Sequence, residues 1–235
     1  MRTGRVVLSK AAPPSIEMKP APFDQARRWR SEYETRHERH WPAIFMTQTA
    51  YTAVNAFAAA SPDREVGGML IGQVCMTPEG ERYVIVEEQL EARHASNGAT
   101  HLTFTSNTLT DALNRLEEEF PDKQIVGWYH THPGLSVFLS SMDVWLHSHF
   151  FPQPWHVALV IDPIANQGGF FWYSSDTPGR LHPQHYVGFY ELAPQGEPSA
   201  VTWHNLLPAE VEARPARSGR ELPGGDGRLV EGYVR

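Results

Sequence analysis

The sequence predicts an α/β domain in which helices are layered on a mixed β-sheet. Three observations lead there. Strand-length apolar runs recur through the middle of the chain, at 65–75, 82–91, 124–129, 155–161, 168–173 and 186–192, and residues 101–105 alternate apolar and polar. Helical patterns stand at 47–60, 106–120 and 140–151. The resulting order, α-β-β-β-α-β-α-β-β-β, interleaves the two element types, which places helices against sheet faces.

Composition narrows the class. A chain of 235 residues can bury one sizeable core and carry appendages. Its formal charge of −7 comes without a basic stripe, so no nucleic-acid partner is expected. The single cysteine, Cys75, excludes an internal disulfide and a Cys-rich structural zinc site, and reads as a small buried hydrophobe. No apolar run reaches transmembrane length, and residues 6–8 are too short an apolar stretch for a signal peptide. A cytoplasmic protein with no membrane partner is the expectation.

Residues 1–23, rich in Pro, Lys and Ala, predict an arm without periodicity, and 24–40 predict a charged helix with Trp29 and Tyr33 on one edge. That helix reads as solvated or as a docking element. His37 and His40 flank Glu38 at a spacing one short of the zinc-protease His-Glu-x-x-His. Residues 1–44 are therefore set apart from a folded domain over 45–192. The alanine-dense helix at 47–60 can approach a sheet closely and stops before Ser61-Pro62. Gly67 and Gly68 open the next strand, where glycine marks either a bulge or a close backbone approach. Pro78, Glu79 and Gly80 make the turn into 82–91. Ser106 is the expected cap of a helix with Leu109, Leu113, Leu116 and Phe120 inward. Residues 193–235, with few apolar runs, predict an irregular tail.

The chemistry concentrates at 127–143. The apolar strand ending at Tyr129 delivers His130 and His132, two apart and so on one face. Pro133-Gly134 opens a loop that ends at Ser140, and Asp143 lies one helical turn further on. Ser-x-x-Asp before an apolar run is also a helix-capping pattern. That reading leaves two histidines at the end of an apolar strand unexplained. Two imidazoles and a carboxylate leave the fourth position of a tetrahedral zinc for water. His147 and His149 repeat the His-x-His spacing on a helix, where such residues diverge, and read as rim or surface groups.

His-Thr-His, seven residues, Ser, two residues, Asp resembles the signature of the JAMM (MPN+) zinc metalloproteases, also called JAB-domain proteins, without a mismatch. The segment Asp-Arg-Glu-Val-Gly-Gly-Met-Leu-Ile-Gly at 63–72 resembles the family's upstream glutamate strand, with Glu65 in that place. The resemblance spans about residues 45–192 and implies a curved mixed sheet flanked by helices. It also implies Zn2+ on His130, His132 and Asp143, Glu65 as general base and Ser140 as oxyanion donor. The implied substrates are ubiquitin or ubiquitin-like proteins and their conjugates, cleaved after the C-terminal tail. The short Pro- and Gly-containing insertion at 176–185 and the added termini look most like bacterial members that accompany ubiquitin-like proteins and their conjugating enzymes, some in antiviral defence. Some eukaryotic relatives hold a second zinc where His182 and His185 stand here, with a cysteine this loop lacks. Gly67, Gly68 and the strand around Thr103 are the expected walls of a tail groove, read by β-addition. A hydrolase of small amide or sulfur-carrier adducts would share the same catalytic residues, and a non-catalytic binding module on this fold is the third reading.

Overall fold

The computed structural model describes residues 16–34, 43–93, 96–98, 101–103, 105–172, 181–194 and 196–211. Strands within them are β1 (Glu17–Met18), β2 (Ala26–Arg30), β3 (Ala43–Thr47), β4 (Gly67–Met76), β5 (Arg82–Glu91), β6 (Ser96–Gly98), β7 (His101–Thr103), β8 (Gln124–Thr131), β9 (Val157–Asp162), β10 (Gln167–Trp172), β11 (Phe189–Leu192) and β12 (Leu207–Ala209). The helices are α1 (Gln48–Ala59), α2 (Ser106–Glu119) and α3 (Ser141–Phe150). One sheet runs β10-β9-β8-β4-β5-β3-β11-β2-β12, with β1 added beside the far end of β4, while β6 and β7 form a separate hairpin. The β8/β9, β3/β5 and β3/β11 pairs are parallel and β4/β5, β4/β8 and β9/β10 antiparallel. The mixed α/β layered architecture is the one the sequence predicts.

Strand β3 shows how the sheet is used. Successive side chains of a strand point to opposite faces, and here both faces are buried. Ile44 and Met46 enter the main core with Val54, Leu70, Trp128 and Leu159. Ala43 and Phe45 enter a second cluster with Cys75, Tyr83 and Ile85. Helix α1 covers the main-core side, burying Ala50, Tyr51, Val54 and Ala58. Its cap Thr47 accepts the Ala50 N–H at 3.1 Å and donates to the Glu87 carbonyl at 3.1 Å, which ties the helix start to β5.

The chain's own ends cover the other face and the sheet edge, against expectation. Residues 24–40 were expected to be a helix. Instead a 3₁₀ turn at Phe23–Gln25 leads into β2, which pairs with β11 and β12. Helix propensity is a weak prior against an open strand edge with matching partners. Trp29 does not share an edge with Tyr33; its indole donates to Glu191 at 3.0 Å, and Arg28 pairs with Glu34. Ala21, Phe23 and Ala26 close the second cluster. His37 and His40 lie outside the described residues.

The tail after 193 is also placed against the sheet at 196–211, and 212–235 lie outside the described residues. Trp203 is 2% exposed, and its ring fills the space a side chain would need at Gly168, with a Cβ there meeting it at 2.5 Å. Its indole donates to Asn55 at 2.8 Å. The Asn205 amide accepts the Gly168 N–H and donates to the Gly168 carbonyl, and Val187 pairs with Phe170, so the β10 edge is covered at both residues. Glu191, fully buried, gathers Trp29, Gln48, Ser199 and the Ala200 N–H, joining both ends of the chain to α1. The sheet thus extends beyond 45–192 at both ends.

Two smaller differences concern α2. Its cap is Thr105, in a reciprocal box with Thr108, rather than Ser106. Leu113, expected inward, is 40% exposed, while Thr108 and Ala112 are buried. No helix among the described residues is long and apolar enough to cross a membrane.

Because Trp203 is core rather than tail, Trp203→Ala should cost about 3–5 kcal/mol. Urea unfolding of the full chain measures this, and an unchanged midpoint would return residues 199–206 to a dispensable role.

Candidate metal centre

Strand β8 is hydrogen-bonded on both sides, to β4 and to β9, and residues 126–132 are all buried. Gly127 makes this possible, since a Cβ there would lie 2.1 Å from the Val157 carbonyl oxygen. The strand direction continues past Thr131, where the His132 N–H donates to Ile161 at 2.8 Å. His130 and His132 therefore face one way from a rigid, central position, 0% and 3% exposed. Thr131 faces the other way, accepting the Val66 N–H at 2.9 Å on Oγ1, while its own N–H donates to the Val66 carbonyl at 2.8 Å. Gly67 pairs with His130, so the same register sets Glu65 across from His132. Glu65 is 7% exposed, unusual for a glutamate.

Helix α3 brings the carboxylate. Ser140 caps it, accepting the Asp143 N–H at 3.2 Å, and Asp143 Oδ2 accepts the Ser140 N–H at 2.7 Å. Asp143 Oδ1 lies 3.4 Å from His130 Nε2, and Oδ2 lies 3.7 Å from His132 Nε2. The two Nε2 atoms are 3.0 Å apart. These three residues are the metal-candidate group among the described residues. A tetrahedral zinc with bonds near 2.0–2.1 Å separates its ligand atoms by about 3.3 Å, and the Nε2–Nε2 and Nε2–Oδ1 spacings of 3.0 and 3.4 Å lie on either side of that value. The donor set fits the ion.

Electrostatics agree with the geometry. Burial, with His130 beside it, pushes the His132 pKa down to about 4, which keeps the ring neutral and its lone pair available. Burial would raise the Asp143 carboxyl, but His130 and the Ser140 hydrogen bonds outweigh it and hold it well below the carboxylate range. The site thus offers a neutral His132 nitrogen and an ionised Asp143 oxygen as donors.

The loop from 133 to 139 is held by Asp162, a residue the sequence reading missed. Its Oδ1 accepts the N–H groups of Gly134, Ile164 and Ala165 at 2.9–3.0 Å, and Oδ2 accepts Ser136 at 2.8 Å. Gly134, Ser136 and Asn166 have positive φ, so a carboxylate fixes a loop and a turn that would otherwise be costly to hold. An Asp-Pro directly after a buried strand was the available signal. His147 was missed as well. It is fully buried, accepting the Trp128 indole N–H on Nδ1 at 3.0 Å, whereas His149 is the exposed group and stacks on Trp145. Burial, with His156 nearby, pushes the His147 pKa down to about 3. Gly67 and Gly68 are both buried, and the space beside Gly68 is filled from within the chain, by the Leu90 carbonyl at 2.2 Å and the Tyr129 ring at 2.9 Å. The close approach at Gly68 is therefore between the chain's own strands. Thr103 lies on β7, whose ladder partner is β6. His182 stacks on His185, which in turn stacks on Tyr33.

With this arrangement in view, residues 46–152 match the family described as JAB1/Mov34/MPN/PAD-1 ubiquitin protease. Over those residues the chain is similar to JAB/MPN domains. The 26S proteasome non-ATPase regulatory subunit 14 of Dictyostelium discoideum is 28% identical over 128 residues, 54% of this chain and 40% of that protein. The ubiquitin carboxyl-terminal hydrolase RPN11 of Saccharomyces cerevisiae is 40% identical over 58 residues, 24% of this chain and 19% of that protein. A protein named NAD(+) hydrolase TcpA, from a Theionarchaea archaeon, is 38% identical over 82 residues, 30% of this chain and 25% of its own length. The chain spans less than half the length of these curated relatives.

Asp162→Asn keeps an acceptor at Oδ1 but turns an amide toward the Ser136 N–H, and should cost about 1–3 kcal/mol. Four N–H donors hold the Asp162 carboxyl below its ordinary value against burial, which would raise it. Its stabilisation is therefore present above the unfolded pKa of about 3.9 and lost as pH falls through the lower folded value. Urea unfolding against pH should show that acid-limb loss in the parent and a shallower one in Asp162→Asn. Identical curves would remove Asp162 from its clamping role.

Proposed function

We propose that this chain is a zinc-dependent isopeptidase that cleaves after the C-terminal tail of ubiquitin or a ubiquitin-like protein. The observation that carries the proposal is the buried set of His130, His132 and Asp143, with the two Nε2 atoms 3.0 Å apart and Oδ1 of Asp143 3.4 Å from His130, and a buried glutamate across from it. A non-catalytic MPN module has no need to bury those four polar residues together, since each costs desolvation unless partnered.

His130, His132 and Asp143 would hold the ion, with Oδ1 of Asp143 the free oxygen because Oδ2 is committed to the Ser140 N–H. Zinc, when bound there, supplies an acidified water and a Lewis acid for the scissile carbonyl. Glu65 is assigned as the general base, outside the ligand set, taking the proton of the attacking water and returning it to the leaving amine. Ser140 uses its oxygen to accept the Asp143 N–H and keeps one hydroxyl hydrogen, which it offers to the developing oxyanion. The Asp162-held loop carries Leu135, 53% exposed, and keeps the residues between ligand strand and ligand helix in one conformation. For the tail itself, β-addition is assigned to the β6–β7 hairpin, with Thr103 on β7.

Elemental analysis of the purified chain should find about one zinc per molecule, with His130→Ala and Asp143→Ala losing both metal and turnover. Glu65→Gln should keep the zinc and lose most turnover on a ubiquitin-like fusion. Loss of metal in Glu65→Gln would make Glu65 a ligand and overturn its role as base.

Replacing the Gly-Gly end of the fusion with bulky residues should abolish cleavage, and Thr103→Pro should weaken substrate binding while sparing zinc. Equal rates on the two fusions would move the small-amide hydrolase reading ahead.

A further inference from the structure

Metal-binding histidines usually donate their second ring N–H to an acceptor, and that bond sets the ring's plane and tautomer. His130 has no such partner: its Nδ1 is buried and without a hydrogen bond among the described residues. Something else must fix the ring. Trp128, two residues back on the same face of β8, lies against it with the rings parallel to within 10° and centroids 4.6 Å apart. Trp128 in turn is 0% exposed and donates its indole N–H to His147 Nδ1 at 3.0 Å, while Phe151 stacks at 5.9 Å.

The spacing explains why His147 can reach. Asp143 and His147 are four apart on α3, a rise of about 6 Å on one helix face. Trp128 and His130 are two apart on β8, about 6.6 Å on one strand face. The two repeats match, so Asp143 can approach His130 while His147 accepts from Trp128, giving two polar rungs between one helix and one strand. Either rung alone would leave α3 free to pivot about it. Together they set its roll on β8.

We infer that Trp128 and His147 are positioning residues for the metal centre, holding the His130 ring in place of the absent Nδ1 partner and setting where α3 presents Asp143. The inference rests on the metal reading above. Sequence alone hides it, because Trp128 reads as core and His147 as surface. Four changes separate the hydrogen bond from mere packing. His147→Leu fills the site without an acceptor, and His147→Gln restores an acceptor oxygen. Trp128→Phe keeps an aromatic face without the donor, and Trp128→Phe/His147→Leu removes both ends of one bond.

The experiment titrates zinc and cobalt into the metal-free full chain, using a competing chelator for affinity and the visible cobalt bands for ligand geometry. Circular dichroism of each apo variant checks that it is folded. His147→Leu should weaken metal binding about ten-fold and alter the cobalt bands, with His147→Gln recovering most of both. Trp128→Phe should match His147→Leu, and the double variant should lose no more than either single one. If His147→Leu loses its fold, Trp128→Phe against the parent carries the same comparison. Unchanged affinity and cobalt bands in folded His147→Leu or Trp128→Phe would overturn the inference and leave the metal reading standing. Equal losses in His147→Leu and His147→Gln would also overturn it, assigning His147 to packing. A parent chain that binds neither metal would remove the metal reading, and the inference with it.

Discussion

Two imidazoles at the end of a fully buried central strand are the constraint the rest of the structure answers. Strand β8 is paired on both sides and buried on both faces, so His130 and His132 cannot turn to water. Leaving such groups without partners costs kilocalories each, so the surroundings must be polar in just the right places. Asp143 reaches them from α3, Thr131 locks the segment carrying Glu65 just before β4, and Asp162 holds the loop between. Each of these polar groups is tied into backbone hydrogen bonds, which is what keeps so dense a cluster from disordering the core around it.

The capping and ligand readings of Ser140 and Asp143 turn out to be one arrangement. A carboxylate has two oxygens, and here they divide the work: Oδ2 completes the capping box with the Ser140 N–H, and Oδ1 faces His130. The helix cap is thus the device that aims the carboxylate. Ionisation follows from the same geometry, since His130 and the Ser140 N–H beside the carboxyl hold it in its charged form, and the N-terminal end of a helix favours negative charge.

At the other end of the sheet, the flanking segments 16–30 and 199–209 complete what the central domain leaves open. A sheet whose two faces are both apolar needs cover on both. Helix α1 serves one, and the segment through Phe23 serves the other, packing against Phe45 and Tyr190. Asn205 covers the β10 edge at Gly168, and β12 pairs with β2, leaving a strand of three residues at that end of the sheet, too short to invite pairing.

What the sequence by itself determined was local: strand and helix periods through 45–192, the two histidines on one strand face, and Asp143 one turn into a capped helix. Those follow from fixed repeats of two and 3.6 residues, which hold wherever the chain folds regularly. What only the tertiary structure decided was everything set by a distant partner. Residues 26–30 are a strand because β11 offers an edge, not because their own composition prefers one. Trp203 is core because Gly168 leaves room for its ring, 35 residues away in sequence. His147 is buried because Trp128 needs an acceptor, and Asp162 clamps because a loop and a turn converge on it. A side chain's period is written in its neighbours, but its burial and its hydrogen-bond partner depend on segments far along the chain, and no local pattern encodes those.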